Sequence, residues 1–226
     1  MEKTDILKMV PIFSGLSDKS LMDIANVMVT RYYKKGQYIL SENDEGQSTY
    51  FITDGNIKVT RTSDDGREVI LAMQGVGDFF GEMAMLDGEP RSANIVAITT
   101  CTVLTLNGAD FYGILTSHPK VAINLLKELA VRIRKSDQQI EGLSLSDAEK
   151  RIAMTIIRIS EELGTIHHGE VSVKKMPVQQ DIANMAGTSR ETVSRTINIL
   201  EEEGFIKRDG KDLSVVDYDR FKRELT

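Results

Sequence analysis

The sequence has a single cysteine, Cys101, among its 226 residues. One thiol excludes an intrachain disulfide, a zinc site built from cysteine ligands and an all-cysteine iron–sulfur cluster within one chain. Residues 70–95 contain no histidine and no cysteine. This segment therefore lacks both of these axial ligands for a haem. No nucleophile–base constellation stands out either. We therefore expect a non-enzymatic protein without a metal, haem or iron–sulfur cofactor.

Long apolar runs are also missing. No stretch of 18 apolar residues occurs, so the sequence predicts no membrane span. The N-terminal residues are charged and do not resemble a signal peptide. Hydrophobic residues make up 41% of the chain and charged residues 27%, which is typical of a globular protein that buries a core. We expect a cytoplasmic protein of two domains with no membrane partner.

Positive charge is not in excess. The formal net charge is −6. Residues 1–145 carry 15 basic and 19 acidic side chains, and residues 146–226 carry 13 and 15. Charge alone therefore counts against nucleic-acid binding, and any case for it has to come from local motifs.

Short β-type runs dominate residues 32–107, and turn sequences such as DG and DDG separate them. Short strands at this spacing predict a sandwich or barrel. Before them, residues 4–30 show the apolar spacing of helices around Pro11. The predicted strands are 38–40, 49–53, 57–62, 68–73 and 103–106.

Residues 119–144 have the most regular helical pattern in the chain. Six positions are separated alternately by three and four residues, which is the a/d pattern of a two-stranded coiled coil. The alternative is a helix packed on its own barrel, although such a helix usually has a wider apolar stripe. We predict a homodimer interface formed by Leu126, Leu129, Ile133, Ser136, Ile140 and Leu143.

A new helical run begins after Asp147, which is placed to cap a helix over 148–163. Residues 165–176 predict a hairpin, and residues 206–216 predict a β-like stretch with a turn at 209–210. Between them lie two predicted helices around Gly187, which permits the positive φ of a tight turn. Ser189 can cap the second of these helices.

These two helices have the pattern of a helix-turn-helix. A recognition helix reads bases with its N-terminal residues. Arginine can bond guanine O6 and N7, and glutamate can accept from cytosine N4. An ordinary helix pair with surface salt bridges is the alternative. The predicted contacts with double-stranded DNA are Gln180, Ser189, Arg190, Glu191, Thr192, Ser194 and Arg195.

Residues 79–96, FFGEMAMLDGEPRSANIV, carry the chemistry of an anion site. Gly81 lets backbone amides point outward as an anion cradle. Glu82 can accept from sugar hydroxyls, Arg91 offers a guanidinium fork to a phosphate, and Ser92 adds a hydroxyl. The set suits a ribose cyclic phosphate. On this chemistry alone, a Glu–Arg ion pair at a barrel rim is the stronger interpretation.

Both segments resemble those of one family, the cyclic-AMP receptor protein / fumarate–nitrate regulator (CRP/FNR) transcription regulators. TSRETVSRTINILEEEGFI resembles the family's helix-turn-helix, and FGEMAMLDGEPRSA resembles the phosphate-binding cassette of cyclic-nucleotide-binding domains. The resemblance covers essentially the whole chain. It implies an α+β fold with an N-terminal antiparallel β-roll (the cyclic-nucleotide-binding jelly roll), a long dimerisation helix and a C-terminal winged helix-turn-helix.

The resemblance also implies roles for residues. Glu82 would hold the ribose 2′-hydroxyl, and Arg91 and Ser92 the phosphate. On the dimer helix, Ser136–Asp137 stands where the cyclic-AMP receptor has Thr-Ser, and the Asp137 carboxylate can accept from either adenine or guanine. The effector stays open among cyclic AMP, which we expect first, cyclic GMP or a cyclic dinucleotide, and another or absent ligand. The remaining implied ligand-site residues are Val59, Leu71, Gly81, Met83, Ala84 and Ala93.

Three segments are expected: a sensor domain over 1–118, a dimerisation helix over 119–145 and a winged helix-turn-helix over 146–226. Together they predict a ligand-gated homodimeric regulator, with activator as our expectation, that binds a palindromic TGA-containing site and works with RNA polymerase. One alternative is a regulator of the same family that is ligand-independent or answers another effector. The other is a cyclic-nucleotide-regulated signalling module without DNA binding.

Overall fold

The computed structural model describes residues 3–225, which fall into two compact units. The first unit comprises the residues up to Arg61 together with Gln74–Lys135. The second comprises Thr62–Met73 together with the residues from Ser136 onward. The boundary at Lys135 lies inside the helix that we predicted to carry the dimer interface. None of the helices in the described range combines the length and the apolar character that a membrane span requires.

Short helices open the first unit. Helix α1 spans Lys3–Leu7, a 3₁₀ turn spans Pro11–Phe13, and α2 spans Asp18–Val27. The side chain of Ser17 caps α2 by accepting from the backbone N–H of Ser20. The apolar residues of α2 that follow the helical spacing are buried, which confirms the predicted helical pattern before residue 28.

Eight strands then form the β-roll of the first half of the chain. The strands are β1 Val29–Tyr33, β2 Tyr38–Leu40, β3 Ser48–Asp54, β4 Ile57–Thr62, β5 Glu68–Gln74, β6 Phe79–Phe80, β7 Asn94–Ala97 and β8 Cys101–Asn107. They are arranged in two four-stranded sheets, of order β1-β8-β3-β6 and β2-β7-β4-β5, and the paired registers are antiparallel.

The five strands predicted from the sequence are confirmed, and three strands were missed. Strand β1 was missed because the apolar spacing of the preceding helix runs up to it without a turn signal. Strand β6 has only two residues, and β7 directly follows the cassette with which its residues were grouped. Of the three, only β6 is too short for the alternating run of four to eight residues on which strand prediction depends.

The core anchors the start of the cassette on two sides. Phe79 packs in a cluster with Phe13, Phe51 and Phe111, and its ring centroid lies 6.1 Å from that of Phe51. Phe80, the next residue, packs in a separate cluster with strand residues such as Ile52. Burial of a phenylalanine or isoleucine side chain contributes roughly 1.5–3 kcal/mol. The backbone that leads into Gly81 is therefore fixed on both faces of β6.

Two helices follow the strands. Helix α4 spans Gly108–Ser117, and Asn107 caps it by accepting from the N–H of Asp110. Helix α5 spans Pro119–Leu145 and has 27 residues, which confirms the long helix predicted from the heptad pattern. At its start, Val121 and Leu125 are buried in the core of the first unit.

The second unit is a winged helix-turn-helix. Its sheet has the order β11-β12-β10-β9. Asp147 caps α6, and Ser189 caps α8 by accepting from the N–H of Thr192, so both predicted caps are confirmed. The elements are α6 Ala148–Leu163, β9 Thr165–His167, β10 Glu170–Val173, α7 Gln179–Ala186, α8 Arg190–Glu202, β11 Ile206–Asp209, β12 Asp212–Val215 and α9 Tyr218–Leu225.

Candidate functional site

A cavity in the first unit lies at the cassette, where β6 leads into the short helix α3, Met83–Asp87. It holds about 450 Å³ of empty space, including its open mouth. Eight of the predicted ligand-site residues line it: Val59, Gly81, Glu82, Met83, Ala84, Arg91, Ser92 and Ala93. The residues that line it and that the sequence did not single out are Leu40, Gln74, Phe80, Ile95 and Arg132.

Arg91 is buried at the cavity wall, with only 5% of its surface exposed. Its Nη1 donates to the carbonyl oxygen of Gly81 at 2.6 Å, and its Nη2 donates to the carbonyl oxygen of Ser48 at 2.9 Å. Its Nε is buried without a hydrogen-bond partner among the described residues. Burial lowers the pKa of Arg91 from its ordinary value, but arginine stays charged in proteins. The site thus holds a fixed positive charge with an unused donor.

Glycine is required on both sides of this guanidinium. Gly81 has a φ of +81°, and a Cβ there would lie 2.8 Å from Arg91 Nη1. At Gly46, a Cβ would lie 2.8 Å from Arg91 Cζ and 2.6 Å from the Cβ of Ala84. The predicted role of Gly81, which is to let backbone amides point outward as an anion cradle, stays a prediction. Gly46 was missed, because no motif in the sequence marks it.

Glu82 is 1% exposed and pairs with Arg132, a residue of α5 that sequence reasoning missed. Arg132 Nη1 donates to Glu82 Oε1 at 2.7 Å, and its Nη2 donates to the carbonyl oxygen of Phe79 at 2.7 Å. Burial raises the pKa of Glu82, and the charge of Arg132 opposes that rise. Arg132 lies beside the apolar seam positions of α5, and its spacing alone gave no reason to connect it with a cassette 50 residues earlier.

The polar groups of the cavity fit a ribose cyclic phosphate in kind. Glu82 Oε2 is buried without a partner among the described residues, so an acceptor is available to a hydroxyl. Arg91 and Arg132 supply positive charge for a phosphate. Among the residues that the structure describes, the exposed Ser92 hydroxyl has one hydrogen-bond partner, the sulfur of Met83 at 3.9 Å. A cyclic nucleotide in this cavity would meet one acceptor and two cations.

Three predicted ligand-site residues are not among those that line the cavity. Leu71, Ser136 and Asp137 belong to the second compact unit, and their side chains are exposed. Their assignment to base recognition stays a prediction. In residues 3–225 there is also no group of three or more potential metal ligands.

The helix-turn-helix has the geometry that its sequence predicted. Gly187 ends α7 with a φ of +60°, and Ser189 begins α8. Ile182, Val193 and Ile197 are buried between the helices. The buried face therefore turns the polar start of α8 outward.

Arg151 braces this turn from α6 and was not singled out by the sequence. Its Nε donates to the carbonyl oxygen of Ala186 at 2.8 Å, its Nη2 to that of Gly187 at 3.2 Å, and its Nη1 to that of Ser146 at 2.8 Å. Carbonyls at a helix C-terminus lack intrahelical partners. One guanidinium thus satisfies the end of α7 and the end of α5 together.

Six of the seven predicted DNA contacts lie at the N-cap and in the first turns of α8, and the seventh, Gln180, lies on α7. Gln180, Ser189, Arg190, Glu191 and Arg195 are exposed, and Thr192 and Ser194 are half-buried. The pKa of Glu191 is lowered by two hydrogen bonds to its carboxylate. The larger effect comes from the backbone N–H of Glu191 itself, and the smaller from the Ser189 side chain. Glu191 is therefore held as an acceptor, as a contact with cytosine N4 requires.

The predicted dimer seam is largely unburied in the single chain. Four of its apolar side chains are 57% to 66% exposed, namely Leu126, Ile133, Ile140 and Leu143. Ser136 is exposed as well. Only Leu129 packs partly against the core of the first unit. A row of large apolar side chains along one helix is unusual for a free surface.

Comparison with known proteins gives the class to which this architecture belongs. The family model "Cyclic nucleotide-binding domain" matches residues 30–118. The family model "Crp-like helix-turn-helix domain" matches residues 150–224. The chain therefore combines a cyclic-nucleotide-binding domain with a DNA-binding helix-turn-helix, which is the organisation of a transcription regulator.

Relatives place the chain more narrowly. The cyclic AMP receptor protein of Thermus thermophilus is 34% identical over 206 residues, covering 89% of this chain and 90% of that protein. The CRP-like cAMP-activated global transcriptional regulator of Mycobacterium tuberculosis is 27% identical, covering 97% and 98%. The structure of FixK2 from Bradyrhizobium japonicum superimposes with a TM-score of 0.77 at 22% identity, over 87% and 96% of the two chains. The chain belongs to the CRP/FNR family of transcription regulators.

Proposed function

We propose that this protein is a homodimeric transcription regulator that a cyclic nucleotide switches, with cyclic AMP the first candidate. The observation that carries the proposal is the pairing of two sites in one chain. A cavity with a buried acceptor, Glu82, and a buried guanidinium, Arg91, occurs in the same chain as an outward-facing recognition helix. We further propose that the regulator is cytoplasmic and works with RNA polymerase at promoters.

The effector assignment is supported by the cavity and by the names of the relatives. A buried carboxylate beside cations suits a hydroxyl next to an anionic phosphate. Two relatives are named for cyclic AMP. Calorimetric titration of the full-length protein with cyclic AMP, cyclic GMP and cyclic di-GMP tests the assignment. We expect one cyclic mononucleotide, cyclic AMP first, to bind with one site per chain, and the other ligands to bind weakly.

A second candidate is a regulator of the same family that needs no nucleotide. It is favoured by one observation: both Nη groups of Arg91 already bond backbone carbonyls, and Glu82 already pairs with Arg132. A cavity whose charges are partly satisfied internally can be a scaffold. Tight, specific DNA binding that none of the three nucleotides changes would select this candidate over the first.

A homodimer is supported by the exposed seam on α5. Apolar side chains at a and d positions insert between those of a partner helix and leave water. The four exposed seam residues lie along the helix from Leu126 to Leu143, about 25 Å at 1.5 Å per residue. A second copy of this chain offers the matching row.

The DNA site follows from the dimer and from the recognition helix. Two copies related by a two-fold axis present two recognition helices to one face of the duplex, roughly 10–11 bp apart. Arg195 and Glu191 carry the donor and acceptor types that read a G·C pair. The family resemblance supplies the expected TGA core. A binding selection on random DNA should recover a palindrome with TGTGA or TTGA half-sites.

A further inference from the structure

Residues 62–73 comprise the end of β4, the turn that follows it and β5 up to Met73, and they belong to the same compact unit as the helix-turn-helix. We call these residues the clasp segment. Asn184 Nδ2, on α7, donates to Glu68 Oε1 of this segment at 3.2 Å. Asn184 Oδ1 accepts from Gln180 Nε2 at 2.9 Å. Two successive hydrogen bonds therefore join a carboxylate of the clasp segment to a predicted DNA-contacting residue.

The backbone of the clasp segment is held as well. The carbonyl oxygen of Leu71 accepts from Gln139 Nε2 on α5 at 3.3 Å and from Arg158 Nη1 on α6 at 3.5 Å. The N–H of Met73 donates to Glu162 Oε2 on α6 at 3.4 Å. Together with Asn184, side chains from three helices of the second unit contact the segment. All of these contacts are at the long end of hydrogen-bond distances.

The docked clasp segment opposes DNA binding in two ways. Glu68 holds a negative charge beside α7, and like charges repel the phosphates that a helix-turn-helix must approach. Asn184 Nδ2 donates to Glu68 Oε1, so that N–H is not offered to a phosphate. Undocking would move the carboxylate away and free this N–H of Asn184 to bond DNA.

The docked arrangement also includes an unfavourable contribution to its free energy, which favours release of the clasp segment from the helices. Arg158 Nε and Nη2 are buried without a hydrogen-bond partner among the described residues. Burial lowers the pKa of Arg158, which reports poor solvation of its charge. Unpaired buried donors are unfavourable. When the clasp segment leaves, these donors regain water, and the docked state is therefore only weakly favoured.

The clasp segment is covalently continuous with the ligand cavity. Val59, on β4, lines the cavity and precedes the segment by three positions. Gln74, which also lines the cavity, directly follows Met73. We propose that the clasp segment is an autoinhibitory contact on α7, and that a ligand seated against Val59 and Gln74 releases it. This inference rests on the proposed DNA-binding function.

The test compares two single-charge changes in the clasp segment of the full-length protein. Glu68→Gln removes the carboxylate that faces α7. Asp64→Asn removes an exposed carboxylate from the same segment and is the matched control. Affinity is measured without nucleotide on a duplex with two inverted TGTGA half-sites. We expect Glu68→Gln to bind about five- to tenfold more tightly than wild type, within the usual range of coupling between sites, and Asp64→Asn to match wild type. Equal or weaker binding by Glu68→Gln overturns the proposal.

Hydrogen exchange gives a readout that needs no DNA. In Glu68→Ala, which removes the acceptor of the Asn184 hydrogen bond as well as the charge, the amides of residues 68–73 and of α7 should exchange faster than in wild type, while Asp64→Ala leaves them unchanged. Saturating cyclic AMP should produce the same acceleration in wild type. Unchanged exchange in Glu68→Ala overturns the clasp contact itself. If exchange rises but wild type and variants all fail to bind DNA, the DNA-binding function fails and the inhibitory role fails with it, whereas the contact stands.

Discussion

Arg132 Nη1 lies 2.7 Å from Glu82 Oε1 and satisfies only one oxygen of that buried carboxylate. The other oxygen, Oε2, is buried with no partner among the described residues. A half-satisfied carboxylate is unfavourable in the absence of a further donor. The ligand-free cavity therefore holds a group that a ligand hydroxyl would stabilise, and Arg132 brings α5 into the ligand site.

Replacing Glu82 with glutamine should stabilise the ligand-free protein more and more as the pH rises. Burial raises the pKa of Glu82 above its ordinary value of 4.5, so the folded state binds this proton more tightly than the unfolded state. The favourable contribution of Glu82 is complete below 4.5 and is lost as the pH rises through the raised pKa. Glutamine does not titrate. The difference in Tm, Glu82→Gln minus wild type, should therefore increase between about pH 4 and pH 8.

Glu89→Gln is the control for this experiment, because Glu89 is exposed on the same cassette. Its Tm difference from wild type should stay small at every pH. A Glu82→Gln difference that does not depend on pH would show that Glu82 is not titrating in a buried site. The same variant should lose nucleotide binding, because an amide accepts hydrogen bonds from a sugar hydroxyl less strongly than a carboxylate.

Arg91→Ala should abolish nucleotide binding. Loss of a charge-assisted contact that leaves a phosphate unpaired costs roughly 2–5 kcal/mol. From the sequence we expected little loss of fold, but the structure adds a cost. Without Arg91, the carbonyl oxygens of Gly81 and Ser48 lose their donors, so the Tm should fall as well. Calorimetric titration and thermal unfolding measure the two effects separately.

Arg61→Ala is the control for Arg91→Ala. Arg61 lies on β4, pairs with Glu42 at the surface and is not among the cavity-lining residues. It should bind nucleotide like wild type, because exposed ion pairs contribute little. Wild-type nucleotide affinity in Arg91→Ala would mean that the cassette does not hold the phosphate.

Much of the fold could be predicted because its signals are local. The helix over Pro119–Leu145 follows from a heptad pattern, and the caps at Asp147 and Ser189 follow from side-chain chemistry next to apolar runs. The cassette residues Glu82 and Arg91 were found because both lie in one short motif. Both line the cavity, and their assignment to the ribose and the phosphate stays a prediction.

The contacts that were missed join distant parts of the chain. Arg132 meets Glu82 across 50 residues, Arg151 meets Ala186 across 35, and Asn184 meets Glu68 across 116. Each is a polar side chain at a position that helical periodicity assigns to solvent. No pattern within one segment distinguishes such a residue from an ordinary surface charge, so only the folded chain reveals it.

Ile133→Lys should break the dimer. Ile133 is 61% exposed in the single chain and lies at the middle of the seam. A lysine at this position would place two positive charges across an interface in which apolar side chains of one helix pack between those of the other. Sedimentation should show a monomer.

Val131→Lys is the matched variant, since Val131 is 46% exposed on the same helix but lies off the seam. It should sediment as wild type. A dimer that survives Ile133→Lys, or one that Val131→Lys dissociates, would place the interface on another surface.

Arg195→Ala should weaken binding to the selected palindrome by about 1–3 kcal/mol and leave binding to random DNA nearly unchanged. A base contact specifies the sequence, whereas phosphate contacts only position the protein. Arg223→Ala, an exposed arginine on α9 outside the helix-turn-helix, should change neither affinity. If Arg195→Ala lowers the affinity for the palindrome and for random DNA equally, Arg195 contacts a phosphate and not a base.

The central claim is that a ligand in the first unit controls DNA binding by the second. The most direct test is the affinity of the full-length protein for its selected palindrome, measured with and without saturating cyclic AMP at fixed salt. We expect wild type to bind at least about fivefold more tightly with cyclic AMP, and we expect no change in Arg91→Ala. An affinity that is the same with and without cyclic AMP in wild type, or a selection that recovers no palindrome, would contradict it.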